Sequence, residues 1–125
     1  MALLLTAGCG GDGIPRGVVS GEVRLGGRPV MEGHIRFIPQ TETPGPLTIA
    51  AVRDGKYLCD IGGGVPLGKH RVEILAWDPT KVPVITGPGA PARPQLVPAK
   101  YNKQSELVVT IDNASEPNVR NFDLK

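Results

Sequence analysis

Apolar residues recur at every second position in several short runs of the chain. Across Val18–Leu25, Val19, Gly21, Val23 and Leu25 alternate with Ser20, Glu22 and Arg24, the period-two signature of a half-buried strand. Gly33–Pro39 sets Ile35 and Phe37 against His34 and Arg36, and Lys69–Ala76 sets His70, Val72 and Ile74 against Arg71 and Glu73. Leu47–Arg53 and Lys56–Asp60 flank Asp54-Gly55, the strongest two-residue hairpin signal in the chain. That register predicts Tyr57 and Cys59 on one inward face. Glu106–Asp112 turns Leu107, Val109 and Ile111 inward, and Asn118–Leu124 does the same with Phe122 and Leu124. Gly26-Gly27-Arg28-Pro29 and the Gly62–Gly68 stretch read as turns. Seven short strands and no helix predict an all-β fold, a seven-stranded antiparallel β-sandwich.

Pro79–Pro98 breaks the pattern. It holds six prolines in 20 residues, and proline cannot donate to a sheet ladder. An extended surface loop is expected there, with a short edge segment at Val82–Ile85. Composition narrows the class further. A chain of 125 residues with 17 Gly and 13 Pro fits one domain built of strands and turns. It excludes a helical bundle, a large enzyme and a protein that spans a membrane by helices. Fourteen basic against 12 acidic residues leave a net charge of +2, too little for a nucleic-acid footprint.

The N-terminus gives the address. Met1-Ala-Leu-Leu-Leu-Thr-Ala-Gly-Cys9 carries an apolar run far shorter than the roughly 20 residues of a membrane-spanning helix. Ala7-Gly8-Cys9 resembles the lipobox of a bacterial lipoprotein signal peptide, in which small residues precede the cysteine that receives the lipid; Thr6 stands where Leu is more usual. The basic start expected of a secretory signal is missing, so the true start codon is expected upstream. On this reading residues 1–8 are a truncated signal peptide, residues 9–16 a flexible tether and residues 17–125 the domain. Cys9 is the lipidation site, and two acyl chains there would anchor the protein to a membrane. Cys59 is expected to be a buried free thiol rather than the disulfide partner of Cys9.

Val18-Val-Ser-Gly-Glu-Val-Arg-Leu-Gly-Gly-Arg-Pro-Val30, Gly33-His-Ile-Arg-Phe-Ile-Pro39, Arg53-Asp-Gly-Lys-Tyr57 and Val65-Pro-Leu-Gly-Lys-His-Arg-Val72 share an order and spacing that resembles carboxypeptidase regulatory-like domains. Val97-Pro-Ala-Lys-Tyr-Asn102, Ser105-Glu-Leu107 and Asn121-Phe-Asp-Leu124 resemble a small lipoprotein branch of that family. The likeness covers Gly17 to Lys125. It implies a transthyretin-like (prealbumin-like, Ig-like) β-sandwich that serves as a non-catalytic accessory or adhesive module. Two positions depart from the pattern: His70 stands where an aromatic is usual, and Cys59 where Leu is usual.

Chemistry is sparse. His34 and His70 are the two histidines, and on the strand reading they face opposite sides. No catalytic set, metal site or cofactor is expected, since neither zinc spacing nor a nucleophile elbow occurs. Gly62-Gly63-Gly64 leads into Pro66 and a strand rather than into the helix a phosphate loop requires. One transthyretin-like family, the hydroxyisourate hydrolases, is enzymatic, but it ends in a Tyr-Arg-Gly-Ser tail that this chain lacks. Trp77 and Tyr101 flank the proline-rich loop and either fasten it to the sandwich or line a binding loop. The expectation is a non-enzymatic, lipid-anchored protein of the cell envelope, facing periplasm or cell surface. Its partners would be the membrane and an envelope protein or glycan, not nucleic acid. A carbohydrate-binding module of starch-binding-like fold is the alternative, and a small hydrolase is a more distant one.

Overall fold

The computed structural model describes residues 13–78, Thr80 and residues 95–125. The residues expected to form a signal peptide, Cys9 and the first half of the expected tether, the expected Val82–Ile85 edge segment and most of the proline-rich loop lie outside the described residues.

Six of the seven runs of alternating apolar positions become single strands. β2 is Val19–Leu25, β4 is Glu32–Pro39, β5 is Thr48–Arg53, β6 is Lys56–Cys59, β8 is Gly68–Ala76 and β9 is Leu107–Ile111. Three two-residue strands join them: β1 Arg16–Gly17, β3 Arg28–Pro29 and β7 Val65–Pro66. Asp54 and Gly55 take φ of 52° and 78°. A two-residue hairpin of type I′ needs that pair of positive angles, because its twist matches that of the strands it joins.

The main sheet runs β2–β6–β5–β4–β8–β9, every neighbour antiparallel. It curls so that its two halves face each other as a β-sandwich or half-barrel. Ile35, Phe37, Val72 and Ile74 from β4 and β8 meet Val19, Val23 and Tyr57 from β2 and β6 in one buried core. The tilted rings of Phe37 and Tyr57 lie 6.0 Å apart near its centre.

The C-terminal segment departs from the expected pattern. Instead of one antiparallel strand it forms two pieces, β10 Asn118–Val119 and β11 Phe122–Leu124. Both run parallel to β2, with Asn118 opposite Val19 and Leu124 opposite Leu25. After β9 the Asn113–Pro117 turn carries the chain across the sandwich to the free edge of β2, where it travels in the direction of β2. The chain therefore has eleven strand segments among the described residues, not seven, and the sheet is mixed at this edge.

Side chains close that side of the sandwich. Asn118 Oδ1 accepts the N–H groups of Asp112 and Asn113, while its Nδ2 donates to the carbonyls of Val18 and Asn113. Arg120 donates through Nη2 to Thr110 O at 2.7 Å. On the opposite side β5 and β6 pair directly near their turn, Val52 with Tyr57 and Arg53 with Lys56.

Candidate functional site

Trp77 follows β8 directly and is half-buried. Its N–H donates to Glu32 O, and its backbone pairs with Gln95, where the chain returns from the proline-rich stretch. The Gln95 amide oxygen accepts the N–H groups of Ala76 and Val97, which fixes the return. The His34 ring and the indole meet edge to face, centroids 4.7 Å apart at 67°. Trp77 also walls a cleft of about 320 Å³ with Arg28, Pro29, Met31, Asp78 and Leu96.

Tyr101 is not part of that wall. It lies in a 3₁₀ turn, Ala99–Tyr101, with its ring packed against the core, and its hydroxyl accepts the Lys125 N–H at 3.1 Å. Lys100 Nζ sits 5.0 Å from the ring centroid. Sequence put Trp77 and Tyr101 together as flanks of one loop; the fold gives each its own work.

The two histidines do not meet. His34 sits on the outward face of β4 opposite Leu75, and His70 on the inward face of β8 opposite Pro39, five residues further along. His70 is fully buried; its Nε2–H donates to Pro66 O at 2.7 Å, and Nδ1 has no partner. Burial lowers the pKa of His70, an effect the bond to Pro66 only partly opposes. Burial, then the charge of Arg36, lowers that of His34. Cys59 is a buried free thiol, pushed up to about 12 by desolvation and by Asp60. No group of three or more His, Cys, Asp or Glu side chains placed to hold a metal ion occurs among the described residues.

On the outward face of the same sheet, Glu73 lies between two guanidinium groups, 2.7 Å from Arg71 and 3.3 Å from Arg36. Arg71 also reaches the carbonyls of Asn102 and Ser105. Every charge here is engaged within the protein, so the cluster ties β4, β8 and the segment before β9 together.

One hollow was not anticipated from the sequence. It measures about 670 Å³ and opens between β5 and β6, with Ile49, Ala51 and Leu58 on its outer side and Ala50, Tyr57 and Cys59 deeper in. Ile49 and Leu58 are each more than half exposed, and Ile61 at the open end is 92 % exposed. The signal was present in the alternation. Outward positions of a half-buried strand are normally polar, yet Ile49, Ala51 and Leu58 occupy them. No family model, no curated protein and no solved structure matches this chain.

Proposed function

We propose that the protein is a non-enzymatic binding module of the cell envelope, held at a membrane by lipid on Cys9. It would engage a protein or glycan partner through the Trp77 end of the sandwich. The observation that carries the binding part is the Trp77 cleft. An aromatic ring, steadied by its edge-to-face contact with His34, stands in an apolar wall with Arg28 and Asp78 beside it. Half-exposed aromatic faces next to polar groups are the usual means of gripping a sugar ring or a partner side chain. The membrane part rests on Ala7-Gly8-Cys9, and the likeness to carboxypeptidase regulatory-like domains supports a non-catalytic role.

The same indole favours a carbohydrate-binding module as a second reading. Trp77 is the sole tryptophan, so its fluorescence reports on the cleft directly. Titration with a broad glycan panel would support the carbohydrate reading if saturable changes occur and Trp77→Ala abolishes them. Silence across the panel leaves the protein-binding form, tested by cross-linking in the membrane fraction. Expression from the upstream start, followed by intact mass, tests the anchor: Cys9–Lys125 plus lipid supports it, and an unmodified soluble chain removes it.

A further inference from the structure

Ile61 is the most exposed large apolar side chain among the described residues. It opens the 3₁₀ turn Ile61–Gly63 that follows β6. The Asp60 carbonyl accepts the Gly63 N–H there, and the Ile61 carbonyl accepts the Gly64 N–H. The turn thus satisfies these carbonyls itself, and the Ile61 side chain can leave water without carrying an unpaired polar group with it. Thr48 borders the same hollow as Ile61, and on either side of Thr48 the side chains of Leu47 and Ile49 are about half exposed.

The N-terminal tether joins the fold at this end. β1 pairs with β7, Arg16 opposite Pro66 and Gly17 opposite Val65. Arg16 Nη1 donates to Gly64 O at 3.4 Å, and a β-carbon on Gly63 would lie 3.7 Å from the Arg16 side chain. Cys9 precedes Arg16 by seven residues. Even at full stretch it stands no more than about 25 Å away, and a glycine-rich chain of that length spans about 15 Å on average.

Trp77 lies at the other end of the strands. Its N–H bonds Glu32 O at the start of β4, whereas Thr48 pairs with Phe37 towards the finish of β4. The stretch of β4 between those two levels measures about 17 Å.

We infer that the Ile61 end of the sandwich rests on the membrane surface, with Ile61, Leu47 and Ile49 set among the lipid headgroups and the Trp77 cleft turned away from the bilayer. This rests on the proposed lipid at Cys9, which names the occupant. The tether holds this end of the domain close to the bilayer and makes the contact intramolecular, so a small apolar patch suffices. Ile61 stands on a projecting turn. A fluid interface accepts such a side chain as it is, whereas a folded partner would have to supply a matching pocket. Arg16 and Asp60 border the patch with opposite charges, so apolar burial rather than attraction to anionic lipid drives the contact.

The test couples the full chain through Cys9 to a maleimide lipid in phosphatidylcholine vesicles, Cys59 being buried. The acyl chains carry bromine near the headgroup. The indole introduced by Ile61→Trp, in a chain that also carries Trp77→Phe, should be strongly quenched, while Trp77 of the native chain should not. In the native chain, coupling to vesicles should slow amide exchange at Leu47–Ile49 and Asp60–Gly64 several-fold. Ile61→Asp should abolish that slowing, and a side chain so exposed does not act through the core. An unquenched indole at position 61, equal quenching of Trp77, or slowing that survives Ile61→Asp would overturn the inference. So would the same slowing in uncoupled chain as its concentration rises without vesicles, which would assign the patch to a second copy. Intact mass separates the two readings: Cys9 unmodified in cells removes the anchor and this contact together, whereas a lipidated Cys9 with failed quenching removes the contact alone.

Discussion

The Tyr57 hydroxyl donates to the carbonyl oxygen of Arg120 at 2.6 Å, and around this bond the C-terminal strand divides in two. Turned toward Tyr57, the Arg120 carbonyl leaves the ladder with β2 between β10 and β11. The Glu22 N–H that faces this gap bonds instead to the Asn121 side-chain oxygen at 2.9 Å. Gly21 makes the detour possible: a β-carbon there would collide with the Arg120 carbonyl. One buried phenol, one missing side chain and one amide together dock the C-terminus against β2.

Tyr57→Phe keeps the ring and removes the donor. The Arg120 carbonyl then loses its partner, which costs about 1–2 kcal/mol. Urea denaturation followed by Trp77 fluorescence should show a lower midpoint with an unchanged slope. An unchanged midpoint would mean that solvent replaces the phenol.

Gly21→Ala acts on the same carbonyl from the other side. The clash is with backbone, which yields poorly, so about 1–3 kcal/mol or more is expected. Because the substitution displaces the group that Tyr57 binds, adding Tyr57→Phe should cost less than it does alone. A double-mutant cycle reads that coupling, and strict additivity would separate the two residues.

His70 should make the fold sensitive to mild acid. Burial holds its pKa below the ordinary 6.5, so the unfolded chain takes up a proton that the native imidazole refuses. Stability is therefore steady above the unfolded value and falls as pH drops through it. His34 is shifted in the same sense. Denaturation midpoints measured between about pH 5 and pH 8 should decline toward acid. His70→Phe should reduce that slope without abolishing it, whereas an identical slope would exonerate the buried imidazole.

Cys59 should be chemically quiet in the native protein. Its thiol is buried and pushed up to about 12, so little thiolate exists near neutral pH. Alkylation followed by peptide mass mapping should leave Cys59 unmodified in buffer and label it fully in denaturant. Rapid native labelling would show that the strands covering it open.

Local chemistry was legible residue by residue. Ile35 and Phe37 point inward and His34 and Arg36 outward, as their alternation requires. Asp54-Gly55 turns where its dipeptide says it must. The candidate site was less legible. Trp77 was visible as an aromatic at a loop boundary, but the walls of its cleft come from β3 and from Leu96, remote in sequence. The hollow at Ile49 and Leu58 was hidden because each residue reads as one imperfect position in its own strand. Only together, on neighbouring strands, do they form a surface.

By itself, the sequence determined the all-β class, the positions of most strands, the hairpin and the inward set of residues. Each follows from the two-residue period of the extended chain and from φ preferences at the turns, which are properties of near neighbours. Tertiary structure alone decided that β10 and β11 run parallel to β2, that Asn118 and Arg120 close one side of the sandwich, and that outward apolar residues of β5 and β6 line one hollow. A period of two states which face a side chain takes. It does not state which strand lies alongside, or in which direction, because those follow from how the twisted sheet curls to bury both halves at once.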